Sequence, residues 1–234
     1  MSPLADRALA AGLLVASSPL LGLARLAIWI EDRGPVIFRQ RRVGRGGEPF
    51  ELLKLRTMVS GAERMGAGIV VDEADPRITR VGSVLRRLSL DELPQLVNVL
   101  RGDMALVGPR PTIQAQVDHY TERQRRRLEV RPGITGWAQV NGRASLPWHE
   151  RIELDIWYVD HRSAALDFRI LLRTLHLLAT GDGLYRGETG GWRTNAPAIG
   201  PAHAVAPASP WRRTRREGRR RRWLRHRPSP PDRS

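Results

Sequence analysis

The sequence has no cysteine, which excludes disulfides, Cys-ligated zinc, iron–sulfur clusters and thiol nucleophiles together. Lysine is nearly absent: of 39 Lys and Arg residues, only Lys54 is a lysine. Acidic residues are the minority, 24 against 39, for a formal net charge of +15. That excess is unevenly placed. Residues 211–227 hold ten arginines and one glutamate, a net of +9; residues 228–234 cancel; residues 1–210 therefore carry +6. The extreme charge describes the tail and says little about the folded part. Several signatures are also missing. There is no GxxxxGK[ST] loop, no HExxH and no GxSxG, so P-loop, zincin and nucleophile-elbow chemistry lack their residues. Gly44-Arg45-Gly46-Gly47 is not a GxGxxG and suits a hairpin turn.

What is present is enough for one core. Hydrophobic residues make up 41% of 234, which excludes wholesale disorder and suits one domain with appendages. Residues 8–24 carry no charge, and the apolar run resumes after Arg25 through Ile30. A straight helix over 8–30 would be roughly 34 Å long, enough to cross a bilayer. Ser17, Ser18 and Pro19 stand in its middle, and a proline there removes a backbone donor and predicts a break. Three readings compete: a signal peptide, a plain span, and a bent helix that dips into one leaflet and returns. Asp6 and Arg7 cancel ahead of the run, which argues against the first. Composition does not separate the other two.

Residues 35–58 read as a β-hairpin turning at 44–47. Residues 59–76 are a Gly-rich polar loop. Helical spacing follows at 77–88, 95–101, 113–128 and 148–161, with 108–111 and 131–143 as rigid loops. Residues 165–179 are amphipathic, fitting either a core helix or one lying in a membrane interface. Beyond 186 the composition turns to Gly, Pro and Ala and then Arg, and 187–234 are expected to be disordered.

The dense stretch is 75–111, where Asp91 and Glu92 follow an arginine pair and precede Gly108-Pro109-Arg110-Pro111. Two readings stand side by side. Ser89-x-x-Glu92 fits a capping box with acids in a first helical turn. Against that, Pro94 would fall inside such a helix, where its missing N–H is needed. A helix starting at Pro94 leaves the two carboxylates just ahead of its N-terminus, near guanidinium groups that keep them ionised. An ionised Asp is a nucleophile toward phosphorus, and a neighbouring carboxylate holds Mg²⁺.

The blocks GPVIFRQRRVG (34–44), FELLKLRTM (50–58), DPRITRVG (75–82), SLDELPQLVNVLRGDMALVGPRP (89–111) and VRPGITGWAQVNGR (130–143) closely resemble the bacterial sugar transferases. These are the monotopic phosphoglycosyl transferases that start glycan assembly on polyprenyl phosphate. The resemblance runs from about Asp6 to about Gly183 and is to the small, single-domain form.

It implies an α+β, mostly helical monotopic membrane protein with an N-terminal re-entrant helix (1–33), a β-hairpin and interfacial amphipathic helices. The catalytic domain would be 34–186. Asp91 is then the nucleophile and Glu92 the Mg²⁺ ligand. Lys54, Arg86 and Arg110 bind substrate phosphate, and Ser18-Pro19 is the helix break. Gln139, Asn141 and Arg143 are candidate contacts to nucleotide or sugar. The implied reaction transfers a sugar 1-phosphate from a UDP-sugar to undecaprenyl phosphate, releasing UMP, on the cytoplasmic face of the bacterial inner membrane. Two features depart from the pattern: few basic residues before the apolar run, and an Arg-rich tail with no family counterpart. The alternative, a membrane-tethered nucleic-acid-binding protein acting through that tail, is disfavoured because the specific blocks lie in 34–143.

Overall fold

The computed structural model describes residues 1–62, 65, 75–142 and 146–180, all within one compact unit spanning Met1–Thr194. Arg143 and the whole of 187–234, including the Arg-rich tail, lie outside the described residues.

The first element is α1, Pro3–Glu31. Ser2 caps it, its Oγ accepting from Ala5 N at 3.2 Å, and Pro3 occupies the first turn, where no N–H is missed. The expected break at Ser18-Pro19 is corrected here: the helix runs on through Pro19. Pro19 leaves the Val15 carbonyl without its usual donor, and Ser18 Oγ–H supplies one at 2.8 Å. Ser17 Oγ–H also donates within the helix, to Leu14 O at 3.3 Å.

Both ends of α1 are bound to the rest of the protein. Near the start, buried Asp6 accepts from Arg131 at 3.0 Å. At the far end, Glu31 accepts from Arg80 N and Val81 N at 2.8 and 2.9 Å, and Asp32 accepts from Ser60 N at 3.0 Å.

The predicted hairpin forms: β1 (Ile37–Val43) pairs antiparallel with β2 (Pro49–Leu55). Phe38 faces Lys54 and Arg42 faces Phe50 in register. Because side chains alternate, Phe38, Gln40 and Arg42 share one face with Phe50, Leu52 and Lys54. The turn uses Gly46 and Gly47 at φ 69 and 89, a region that favours glycine.

Next come α2 (Arg80–Arg87) and α3 (Gln95–Arg101). Fully buried Asn98 on α3 accepts from Leu53 N at 3.1 Å and donates to Glu51 O at 2.7 Å. That pair of bonds fixes α3 against β2. A second, parallel pair joins β3 (Ala105–Val107) to β4 (Gly133–Thr135). The sequence predicts a loop over 131–143, yet β4 and α6 (Trp137–Val140) lie within it. Gly108, Gly133 and Gly136 pack backbone on backbone there, leaving no room for a Cβ.

The predicted helix over 113–128 is instead α4 (Gln114–Val117), α5 (Glu122–Arg125) and a 3-10 turn. Thr121 restarts the helix with a complete capping box to Gln124.

The chain closes with α7 (Trp148–His161) and α8 (Ala164–Thr180). One core joins Ala10 of α1, Leu52, Leu96, Val99, Met104, Leu106, Tyr158 and Ile170. The result is an α+β, mostly helical fold.

Two helices keep bare apolar faces. On α1, Leu9, Leu13, Val15, Leu20, Leu23, Leu26 and Ile30 are exposed; on α8, Phe168, Leu172, Leu175 and Leu178 are. Leu166 and Ile170 of α8 face the core instead, so the predicted apolar stripe of α8 divides between two directions. α1 is long and apolar enough to cross a membrane.

Candidate active site

The chain leaves α2 through Ser89, a non-glycine residue at φ 55. That left-handed conformation costs about 1 kcal/mol or more and is held only where surroundings enforce it. It throws the chain into a 3-10 turn, Leu90–Glu92, just ahead of Pro94 and α3. Ser89 makes no side-chain cap, so the capping-box reading of Asp91 and Glu92 fails. The alternative, carboxylates standing ahead of a helix that begins at Pro94, matches the chain's path.

Three cations gather on these carboxylates. Lys54, on the inner face of the hairpin, donates to Glu92 Oε1 at 2.9 Å and lies 3.8 Å from Asp91 Oδ2. Arg110 donates to the same Glu92 oxygen at 2.7 Å. Arg86 comes from the last turn of α2 and is aimed by Thr57, whose Oγ1 accepts from its Nε at 2.8 Å. Gly82 makes this approach possible, since a Cβ there would run into the Thr57 backbone.

The two carboxylates are electrostatically unlike. Burial pushes Asp91 above the ordinary carboxylate range, with Lys54 pulling the other way; the residue is 8% exposed. Burial also acts to raise Glu92, but Arg110 and Lys54 outweigh it and hold its carboxyl far below the usual range. Glu92 is thus a fixed anion. Asp91 is the poorly solvated one, with weaker support.

The site opens into a cleft of about 1630 Å³. Lys54, Arg86, Asp91, Glu92, Arg110 and Gln139 all line it, as do Leu13 and Ser17 of α1 and Leu171 and Leu178 of α8. Among the described residues Gln139 has no hydrogen-bond partner for its buried amide. Asn141 does not line the cleft: it ends α6, donates to Trp137 O at 2.8 Å and accepts from Arg173 at 3.0 Å. Trp137 stacks on Trp157 with ring centroids 4.9 Å apart, a packing role. Arg143 lies outside the described residues.

Sequence reasoning missed two groups. Arg42 also lines the cleft; its signal is alternation, since it shares a face with Lys54. Behind the Pro109-Arg110-Pro111 loop, buried Arg127 donates to the Arg110 carbonyl at 2.9 Å and pairs with Asp155 at 2.6 Å. No local pattern marks that pair, because its members lie on separate elements.

Among the described residues no group of three or more His, Cys, Asp or Glu is placed to hold a metal ion. The donor set still fits a Mg²⁺ that takes one or two carboxylates and completes its shell with substrate phosphate and water. Both cations bond to Glu92 Oε1, and Oε2 accepts no hydrogen bond among the described residues.

Comparison with known proteins gives the family. Residues 1–181 match the family model "Bacterial sugar transferase". An uncharacterized sugar transferase of Bacillus subtilis, EpsL, is 45% identical over 172 residues, covering 74% of this chain and 84% of its own. The UDP-glucose:undecaprenyl-phosphate glucose-1-phosphate transferase of Caulobacter vibrioides is 48% identical over 186 residues, covering 75% and 69%. An N-acetylgalactosaminephosphotransferase of Aeromonas hydrophila, named for undecaprenyl phosphate, is 43% identical over 71% of this chain and 40% of its own. With most of its length matched by the family model, the chain belongs to the bacterial sugar transferase family.

Proposed function

We propose that the protein transfers a sugar 1-phosphate from a UDP-sugar to polyprenyl phosphate, releasing UMP, as a first membrane step of glycan assembly. One observation carries this reading. A buried, poorly solvated carboxylate, Asp91, stands beside a carboxylate already neutralised by Lys54 and Arg110, in a cleft walled partly by bare apolar helices. A fixed Glu92 anion leaves Asp91 as the group with electrons to offer. The names of two relatives, which pair a sugar phosphate with undecaprenyl phosphate, support the substrate class.

In the first step a carboxylate oxygen of Asp91 bonds to the β-phosphorus of the UDP-sugar. The bond from that phosphorus to the bridging oxygen breaks, and UMP leaves with the electron pair. In the second, an oxygen of polyprenyl phosphate attacks the phosphosugar-Asp91 linkage and frees the carboxylate. Arg86, Lys54 and Arg110 position the phosphates and offset charge as it shifts. Mg²⁺, held through Glu92, would supply further neutralisation of the diphosphate.

The membrane placement follows from α1. A straight span puts its ends on opposite sides of the bilayer. Here Asp6 at one end and Glu31 and Asp32 at the other bond to the same domain. That supports a monotopic helix whose two ends stay on one face, the cytoplasmic face where nucleotide sugars are found. Neither the described residues nor the comparisons favour nucleic-acid binding.

The test is the intact-protein mass after mixing with UDP-sugars and Mg²⁺ without lipid acceptor. An added mass of one phosphosugar, mapped to Asp91 and discharged by undecaprenyl phosphate, is expected. A wild type that releases UMP without ever carrying the adduct refutes the covalent route.

A further inference from the structure

The Pro109-Arg110-Pro111 loop brings a second guanidinium into play beside that of Arg110. Arg42 stands four residues along β1 from Phe38, the register partner of Lys54, so its backbone is roughly 13 Å from that end of the site. Arg110 is close to both, since Arg42 bonds to the carbonyl of the next residue, Pro111. Arg110 bonds to Glu92 at 2.7 Å, and its like charge opposes that of Arg42.

Arg42 differs from its neighbours in what holds it. Lys54, Arg110 and Arg127 each have a carboxylate partner. Arg42 donates from Nε and Nη2 to Gln40 Oε1, at 3.1 and 2.6 Å, and from Nη1 to Pro111 O at 3.4 Å. Both acceptors are neutral. Burial, together with the like charge of Arg110, lowers the guanidinium to about 10, although Glu92 acts the other way. A half-buried cation is thus held in a fixed orientation beside another cation, with no ion pair among the described residues.

Bracing the loop does not account for this arrangement. The bond to Pro111 is long, and Val43 N already anchors the next carbonyl, Thr112 O, at 2.8 Å. The two strong bonds run to Gln40, so they orient Arg42 itself. A fixed, uncompensated guanidinium facing a cleft is the arrangement that favours an anion.

We infer that Arg42, aimed by Gln40 and paired with Arg110, grips the phosphate that departs with the nucleotide. The inference rests on the transfer reaction proposed above. When the bond from the β-phosphorus to the bridging oxygen breaks, the electron pair stays on that oxygen, and the α-phosphate gains a negative charge. A cation not already neutralised by the protein gains most from that change. The second half-reaction contains no nucleotide, but its in-line attack comes from the side that UMP has left, so the lipid phosphate then enters the position beside Arg42.

The experiment uses the full chain in detergent or lipid discs and compares Arg42→Gln, Arg42→Lys and Gln40→Ala with wild type. It reads inhibition by UMP and by uridine, and the discharge of preformed phosphosugar-enzyme to undecaprenyl phosphate. Arg42→Gln should raise the UMP inhibition constant about 10- to 100-fold, leave uridine inhibition unchanged and slow discharge, because the lipid phosphate enters the same position. Arg42→Lys should restore part of the UMP effect. Gln40→Ala, which keeps the charge and frees its orientation, should weaken UMP in the same direction.

UMP inhibition within twofold of wild type in Arg42→Gln overturns the assignment. So does equal weakening of UMP and uridine with a lowered melting temperature, the mark of a brace. A wild type that neither releases nor binds UMP overturns the transfer reaction, and this assignment with it.

Discussion

The adjacent carboxylates should respond oppositely to loss of charge. Asp91→Asn removes the attacking anion but keeps its shape. In stability the change is small. Asp91 is 8% exposed and its burial disfavours the charge. Its one ion-pair contact among the described residues, to Lys54, is 3.8 Å long, and Lys54 keeps its 2.9 Å bond to Glu92. Relief of desolvation offsets the lost attraction, so unfolding should change by less than about 1 kcal/mol. Turnover should fall at least about 1000-fold, equivalent to about 4 kcal/mol of lost transition-state stabilisation.

Glu92→Gln removes a carboxylate that accepts from Lys54 and Arg110 at 2.9 and 2.7 Å. The Lys54 bond is largely buried and should cost about 2 kcal/mol; Arg110 is about half exposed, so its bond is screened and adds about 0.5–1 kcal/mol. The assays are UMP release and a thermal melt in the same detergent. A stable, active Asp91→Asn enzyme, or equal destabilisation by the two changes, would refute the division of roles.

Other outcomes follow from the same geometry. Arg86→Ala should lower kcat/KM about 30- to 1000-fold, with only partial recovery in Arg86→Lys, because an ammonium lacks the planar fork; unchanged kinetics would make Arg86 structural. Burial raises Asp91, so the nucleophile is protonated as pH falls and the acid limb of kcat/KM should lie above the ordinary carboxylate range. Lys54→Met removes the chief opposing charge and should move that limb to higher pH, and a limb that stays in place counts against the pairing. Asp155→Asn leaves Arg127 buried without its carboxylate and should cost about 3–5 kcal/mol in denaturant unfolding, recovered in part by Arg127→Met in the double variant; additive losses would contradict a coupled pair. Cysteines at Ser2 and Asp32 should both be shielded from an external thiol reagent in whole cells, and labelling of the Ser2 site alone would show a true span.

Long elements with strong patterning were legible in the sequence. The hairpin, the helix over 95–101 and the two C-terminal helices match its periodicity. The β3–β4 pair was not, because three-residue strands buried on both faces show no alternation. Pro19 misled for a local reason: a Ser18 hydroxyl replaced the missing donor and the helix continued. In the site, Lys54 stood out as the sole lysine, and Pro94 told against capping at Asp91. Arg42 and Arg127 were hidden by composition, two arginines among 38. What marks them out is tertiary: a strand face for one, a buried partner on α7 for the other.

Under the proposed membrane placement, the same two helices link the site to the bilayer. Leu13, Ala16 and Ser17 of α1, and Leu171, Thr174 and Leu178 of α8, line the cleft that holds the dyad. On the same two helices Leu9, Leu20, Leu23, Phe168, Leu172 and Leu175 are exposed. A lipid phosphate has an apolar chain to keep in hydrocarbon and a charge to keep near water. Under the proposed reaction the exposed leucines take hydrocarbon depth, and the cleft opens at the level where such a headgroup lies. Bringing that phosphate from water to the phosphosugar carried on Asp91 costs desolvation, which Arg86, Lys54 and Arg110 offset from fixed positions. Replacing Leu172 and Leu175 with Asp should therefore weaken membrane retention and lipid-dependent turnover together. Formation of the phosphosugar adduct, which needs only the soluble donor, should persist in the same variant. Loss of adduct formation along with retention would show instead that α8 supports the active site itself.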